Sequence, residues 1–185
     1  MSKTPNQQLR IIGGEWRSRR LRFPAIDGLR PTMDRVRETL FNWLQFDIEG
    51  ARVLDAFAGS GALGFEALSR GAKEVVFLEK NPKAALQLKD NLKTLQARNA
   101  QVWAGDALLW LADNPEPYDL VFLDPPFGQN LLQPALQQLT LLPGALVYIE
   151  HESQLSPDLP AHWQQRKRKD TKEFSFALYE VGSQD

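Results

Sequence analysis

From Arg52 onward, short apolar runs alternate with segments of helical period, and nothing else in the chain limits its folding as much. Val53-Leu-Asp-Ala-Phe57 reads as a strand, Ala62 to Arg70 as a helix closed by Gly71, and Val75-Val-Phe-Leu-Glu79 as a second strand. Asn81-Pro82 supplies a capping side chain and a first-turn proline for the next helix, which buries Ala85, Leu88, Leu92 and Leu95. The pattern continues with a strand Gln101–Ala104, a helix through Leu108 to Ala112 and a strand Leu120–Leu123. A Leu- and Gln-rich helix follows, then the strand Ala145–Glu150, and the tail (Trp163–Thr171, Phe174–Val181) reads as two adjacent strands. Repeated β-α units predict an α/β fold: a mostly parallel sheet flanked by helices, with ligands at the carboxyl edge of the strands.

The first 50 residues follow another pattern. Arg10-Ile-Ile-Gly-Gly-Glu-Trp16 reads as a small hairpin with Gly13-Gly14 as its turn. Pro31 precedes a helix of about 14 residues, with Met33, Val36, Leu40, Trp43 and Leu44 on one apolar face. Residues 1–30 carry seven basic side chains (Lys3, Arg10, Arg17, Arg19, Arg20, Arg22, Arg30) against Glu15 and Asp27, a balance of +5. The rest of the chain therefore carries −6, since the overall charge is −1. A cationic arm on a mildly acidic body predicts a localised contact with a polyanion. Residues 1–30 are expected to form that arm and 31–185 the remaining domain.

Composition narrows the chemistry. The chain has 185 residues, enough for one three-layer domain, and no apolar run approaches the length of a membrane span. Its first residues lack the apolar stretch of a signal peptide, so a cytoplasmic location is expected. Cysteine is absent, which excludes disulfides, thiolate-held clusters and any cysteine nucleophile. His151 and His162 stand alone without ligand spacing, and no metal site is predicted.

Asp119-Leu-Val-Phe-Leu-Asp-Pro-Pro-Phe127 carries the most chemistry. A buried strand delivers an acid, two prolines and an aromatic ring to the ligand edge. Asp124 accepts hydrogen bonds, Pro125 and Pro126 remove competing N–H donors, and the Pro125 carbonyl adds an acceptor. Phe127 offers a stacking face. Together these groups suit a planar base that bears an amine. The tetrapeptide resembles that of the amino-group methyltransferases that use S-adenosylmethionine.

Gly59-Ser-Gly61-Ala-Leu-Gly64 also satisfies the G-x-G-x-x-G pattern of nicotinamide dinucleotide sites, so that reading competes, as does a purely structural turn. Two details favour S-adenosylmethionine. Asp55 stands four residues before Gly59, where an acid repels a pyrophosphate but receives an ammonium group. The Asp124–Phe127 segment has no place in the dinucleotide fingerprint. Glu79 ends the second strand and suits the ribose hydroxyls; its alternative is a solvated charge or a partner for Lys80. Asp106 and Ala107 follow the third strand, and there Asp106 serves as a helix cap, an adenine contact or both. The expected cofactor set is Asp55, Ala58, Gly59, Ser60, Gly61, Glu79, Lys80, Asp106, Ala107 and Asp124.

Across nearly its full length the chain resembles one bacterial family, the methyltransferases that modify guanine N2 in 16S ribosomal RNA of the small subunit (guanine-966 type). The resemblance rests on Arg10-Ile-Ile-Gly-Gly-Glu-Trp-Arg17, Leu29-Arg-Pro-Thr-Met-Asp-Arg-Val-Arg-Glu-Thr-Leu-Phe-Asn-Trp-Leu44, Phe57-Ala-Gly-Ser-Gly-Ala-Leu-Gly-Phe-Glu-Ala-Leu-Ser-Arg70 and Asp124-Pro-Pro-Phe127. Met33 departs from the family's Thr. The resemblance implies a Rossmann-like, seven-stranded class I methyltransferase sheet with its last strand reversed. It implies S-adenosylmethionine as methyl donor, S-adenosylhomocysteine as product, and 16S rRNA, in the small subunit or its assembly intermediate, as partner of a monomeric enzyme. Arg10, Arg17, Arg19, Arg20 and Arg22 are the expected phosphate contacts, then Arg35 and Arg37; Arg166-Lys-Arg-Lys169 reads as solvated. The competing readings are a nucleic-acid adenine-N6 methyltransferase and a non-catalytic RNA-binding assembly factor on the same fold.

Overall fold

The computed structural model describes residues 7–27, 29 and 32–184. Pro31, expected to open a helix, and Lys3 and Arg30 of the basic arm lie outside the described residues. The elements run β1 (Gln7–Arg10), β2 (Arg20–Phe23), α1 (Asp34–Trp43), β3 (Arg52–Asp55), α2 (Ala62–Ser69), β4 (Glu74–Glu79) and α3 (Pro82–Thr94). They continue with β5 (Ala100–Ala104), α4 (Ala107–Asp113), β6 (Leu120–Leu123), α5 (Leu132–Gln138), β7 (Leu146–Glu152), β8 (Trp163–Asp170) and β9 (Phe174–Val181).

Seven strands form one sheet in the order β5-β4-β3-β6-β7-β9-β8. The pairs from β5 to β7 are all parallel, and β9 runs antiparallel to both β7 and β8, so the last strand is the reversed one, as expected. Alternation along each strand divides the core in two. Val53, Val75, Phe77, Phe122, Tyr148 and Phe176 face α1, α2, α3 and the N-terminal hairpin. Their neighbours Leu54, Val76, Leu78, Val121, Leu123 and Ala177 face α4 and α5. The period-2 pattern of buried strands thus produces a three-layer α/β domain.

α3 follows its sequence signals. Asn81 Oδ1 accepts from the N–H groups of Lys83 (2.9 Å) and Ala84 (3.2 Å), and Ala85, Leu88, Leu92 and Leu95 are all buried. α1 is shorter than the periodicity suggested. Met33 is its N-cap residue and is 60% exposed, so it does not belong to the apolar face assigned to it. Trp43 stacks on Phe176 with ring centroids 5.5 Å apart.

The N-terminal hairpin also differs. Its strands pair Arg10 with Arg20 and Gln8 with Arg22, so the connection runs from Ile11 to Arg19 and Gly13-Gly14 is not a two-residue turn. Tertiary contacts shape that loop. Glu66 of α2, fully buried, accepts from the N–H groups of Ile12 (2.8 Å) and Gly13 (3.1 Å). Ser69 donates to the Gly13 carbonyl and accepts from Trp16 N–H, and Asn91 of α3 donates to the Arg22 carbonyl.

Arg37, expected to contact phosphate, belongs to this latch instead. It is 1% exposed, donates to the Arg10 carbonyl at 2.9 Å, pairs with Asp34, and lies 3.7 Å from Glu66. A guanidinium enclosed by protein acceptors cannot reach a phosphate without breaking the arm from the body. Arg10, Arg17, Arg19, Arg20, Arg22 and Arg35 are exposed.

Candidate active site

From β3 the chain steps outward to β4 and β5, then returns to place β6 and β7 on the other side of β3. Open α/β sheets form a crevice at the carboxyl ends of the strands where the order reverses. Asp55 ends β3 and Asp124 follows β6, its direct neighbour, so both acids arrive at that crevice. A cavity of about 1150 Å³ opens there.

Ala58, Gly59, Ser60, Glu79, Lys80, Asp106, Ala107 and Asp124 line the cavity, as do Pro125, Pro126 and Phe127. Asp55 and Gly61 stand behind the lining. Asp55 is buried and its Oδ2 accepts from Gly64 N–H at 3.1 Å, which ties the strand end to the first turn of α2. Gly61 has φ +81°, and a Cβ there would lie 2.5 Å from the Phe65 ring and 2.6 Å from Leu88. At Gly64 a Cβ would lie 2.2 Å from the Phe77 ring. Gly64 is thus fixed by the close seating of α2 on the sheet, and Gly61 by its left-handed φ and by the Phe65 and Leu88 side chains of α2 and α3.

The two flanking acids are held by backbone. Glu79 accepts from Gly59 N–H (2.7 Å) and Asn81 N–H (2.9 Å), so it braces the glycine turn while facing the cavity. Asp106 caps α4 through one oxygen, with Leu108 N–H at 2.8 Å and Leu109 N–H at 3.3 Å. The cap reading is therefore correct, and both cap bonds fall on Oδ1.

Sequence reasoning missed Glu150 of β7 and Phe174 of β9, which also line the cavity. Glu150 ends the apolar run of its strand at the ligand edge, the same signal that singled out Glu79. The Phe127 and Phe174 ring centroids are 6.5 Å apart at 42°, an aromatic pair beside Asp124. Only the pairing of β9 with β7 brings Phe174 there.

Electrostatics sets this crevice apart from an ordinary surface cleft. Oδ1 of Asp55 and Oδ1 of Asp124 are both buried without a hydrogen-bond partner. Desolvation, and then the negative charge of Glu79, raises Asp55 to about 7 against a hydrogen bond from Gly64 N–H. Asp124 is raised well above the usual carboxylate range, first by desolvation, then by the charges of Asp55 and Glu150. The same burial, with Glu150 and Asp124 nearby, pushes the Tyr148 hydroxyl up. Buried acceptors without partners need donors or cations to satisfy them. Among the described residues no group of three or more His, Asp or Glu side chains is arranged to hold a metal ion. Asp124 stands on the cavity wall, where an organic cation with N–H donors can approach it, and Asp55 lies behind it.

Comparison with known proteins agrees with this geometry. Residues 9–180 match the family model described as Conserved hypothetical protein 95. The chain is 45% identical to Ribosomal RNA small subunit methyltransferase D of Escherichia coli K12, covering 98% of this chain and 96% of that one. It is 47% identical to the protein of the same name from Haemophilus influenzae, over 96% and 97% of the two chains. The solved structure of yhhF from Escherichia coli superposes with a TM-score of 0.89 at 45% identity, over 96% of this chain and all of that one. A family model matching residues 9–180 and 45–47% identity over nearly the whole of both chains agree with the glycine turn and the acid-proline-proline-aromatic crevice: this chain belongs to the ribosomal RNA small subunit methyltransferase D family.

Proposed function

We propose that the protein transfers a methyl group from S-adenosylmethionine to the exocyclic N2 amine of a guanine in 16S ribosomal RNA, at the 966-type position. The observation that carries this reading is the buried, partnerless Oδ1 of Asp124 beside Pro125 and Phe127, in the same cavity as the glycine turn and Glu79.

Asp124 would face the cationic methionine end with Asp55 behind it, acting through its charge or through water, Glu79 would face the ribose hydroxyls, and Asp106 with Ala107 the adenine. When bound, S-adenosylmethionine supplies an electrophilic methyl group on a sulfonium centre. The amine of guanine is a weak nucleophile because its lone pair is delocalised into the ring. Asp124 and the Pro125 carbonyl accept its N–H groups and turn the lone pair out of the ring plane. Those bonds strengthen as positive charge develops on nitrogen, which selectively stabilises the transition state. The nitrogen loses its proton once it is cationic, so Asp124 need not act as a base beforehand. Phe127 stacks on the base, which must leave any neighbouring stack to enter.

The hairpin supports RNA as substrate. Leu9, Leu21 and Phe23 are buried on one side of the ribbon, and Arg10, Arg20 and Arg22 project from the other. Arg10 and Arg20 are direct cross-strand partners. Like charges placed opposite one another repel unless an anion lies between them. We assign Arg10, Arg17, Arg19, Arg20, Arg22 and Arg35 to phosphate contact, with residues 1–30 as the RNA arm and 31–185 as the methyltransferase domain. The enzyme acts as a cytoplasmic monomer on the small subunit or its assembly intermediate. Among the described residues no helix is long and apolar enough to cross a membrane.

Incubation with labelled S-adenosylmethionine and either small subunits or 16S RNA that lack the modification is expected to yield N2-methylguanosine on nucleoside analysis. Label in N6-methyladenosine, or none despite cofactor binding, overturns the reading.

Cofactor binding is also expected to release protons. Free Asp55 titrates at about 7, and a bound cation holds it ionised. Below pH 7 each pH unit therefore lowers affinity about tenfold for one proton displaced, and Asp124 extends the dependence to higher pH. The ligand-free fold carries the opposite sign. Between the usual carboxylate range and pH 7 it holds a proton that the unfolded chain has lost, so this acid makes it less stable as pH rises. Calorimetry of S-adenosylhomocysteine binding between pH 5.5 and 8 tests the linkage. Asp55→Asn flattens the profile; a slope unchanged in that variant rules Asp55 out as its source.

A further inference from the structure

We propose that Glu150 reads the Watson–Crick edge of the target base and makes the site selective for guanine; this rests on the guanine-N2 reading above. β6 and β7 are parallel neighbours with Leu123 paired to Ile149. Asp124 and Glu150 are the next residues on each, so the register carries two carboxylates side by side to the crevice, on strands about 4.8 Å apart. Both line the main cavity, and Glu150 also lines a smaller one of about 150 Å³ that continues past Pro125, Pro126 and Phe127. The Tyr148 hydroxyl donates to Glu150 Oε2 at 3.0 Å. Tyr148 is itself wholly buried, packed edge-on against Phe122, so the carboxylate is held from below by a rigid donor.

Hydrogen-bond polarity gives the pair its meaning. Guanine presents two adjacent donors, N1–H and the N2 amine. Adenine and cytosine present an amine next to a ring nitrogen that carries a lone pair. A carboxylate accepts only, so two of them in a row match a donor–donor edge. Against a donor–acceptor edge, one carboxylate faces a lone pair across a dry pocket, which rejects the base by repulsion as well as by a lost bond. Asp124 alone accepts an amine from any of these bases. Glu150, taking N1–H, supplies the difference. The Asp-Pro-Pro-Phe segment thus orients the amine, and the neighbouring strand decides which ring bears it.

2-Aminopurine separates the two roles, because it keeps the 2-amino group but has a lone pair at N1. Small-subunit RNA carrying guanosine or 2-aminopurine riboside at the target position is methylated in single-turnover assays by wild type, Glu150→Gln and Tyr148→Phe. Wild type is expected to prefer guanosine by about 100-fold, the scale of a hydrogen bond to a charged group. Glu150→Gln can turn its amide N–H toward the N1 lone pair and is expected to narrow the preference below about tenfold. Tyr148→Phe, which keeps the ring but frees the carboxylate, falls between. A partly misfolded variant scales both rates equally and leaves their ratio intact. An unchanged ratio in both variants, or loss of both activities with S-adenosylhomocysteine still bound, overturns the role of Glu150. A wild-type protein that methylates neither base removes the guanine-N2 reading and this inference with it.

Discussion

Asp124→Ala is expected to lower kcat/KM for methyl transfer by about 10²–10³-fold, the usual loss when one preorganised partner of a developing charge is removed. The same change is expected to raise the melting temperature of the ligand-free protein. In that state Asp124 is desolvated and faces the negative charges of Asp55, Glu150 and Glu79. Deleting one acid from such a cluster relieves repulsion and removes an orphaned acceptor. Each ~1 kcal/mol so gained shifts the midpoint of a domain this size by about 2–4 °C. Opposite signs in activity and stability identify a residue kept for chemistry at the expense of the fold. Steady-state methylation and thermal melts on one preparation check both. Activity within tenfold of wild type argues against Asp124 as the amine's orienting acceptor, and a lower melting temperature argues against the electrostatic account.

Glu66→Ala is expected to be the most damaging change outside the crevice. Its carboxylate is fully buried and accepts from Ile12 and Gly13 N–H while facing Arg37 and Arg70. Removing it leaves Asp34 as the remaining carboxylate beside the buried Arg37 guanidinium, and each buried group left without its partner costs about 1–3 kcal/mol. Two backbone donors lose their acceptor as well. The arm is held by this latch, so RNA affinity falls together with stability, while S-adenosylhomocysteine binding in the fraction that remains folded is retained. Urea titration and RNA binding read the two effects. Stability within about 1 kcal/mol of wild type is incompatible with Glu66 latching the arm to the body.

The β-α alternation was legible because buried strands and helix faces leave periods of two and 3.6 in any sequence. Local chemistry was legible too: Asn81 and Asp106 cap the helices they precede, and strand-terminal Glu79 and the loop acid Asp124 line the crevice, with Asp55 behind them. What failed depended on residues far apart in the chain. Gly13-Gly14 has the composition of a tight hairpin turn, yet the loop is shaped by Glu66 and Ser69, more than 50 residues away. Arg37 reads as one more cation of a basic region because nothing local announces the buried acid that it faces. Glu150 was overlooked although it obeys the rule that found Glu79. Its importance depends on the register of β6 against β7, which no single strand encodes.

In the proposed function, α2 joins two roles that simple modular thinking would separate. Its eight residues span about 12 Å, with the glycine turn at one end and the acceptors for the N-terminal ribbon on its later turns. Recognition here is therefore not a portable cassette. Grafting residues 7–23 onto another enzyme of the same architecture would transplant the arginines without the socket that aims them. A working chimera must also import Glu66, Ser69 and Asn91, plus Arg37 to neutralise the first of these. Evolution of target choice in such proteins is correspondingly constrained, because drift in the ribbon is felt one short helix away, at the glycine turn where we place the methyl donor.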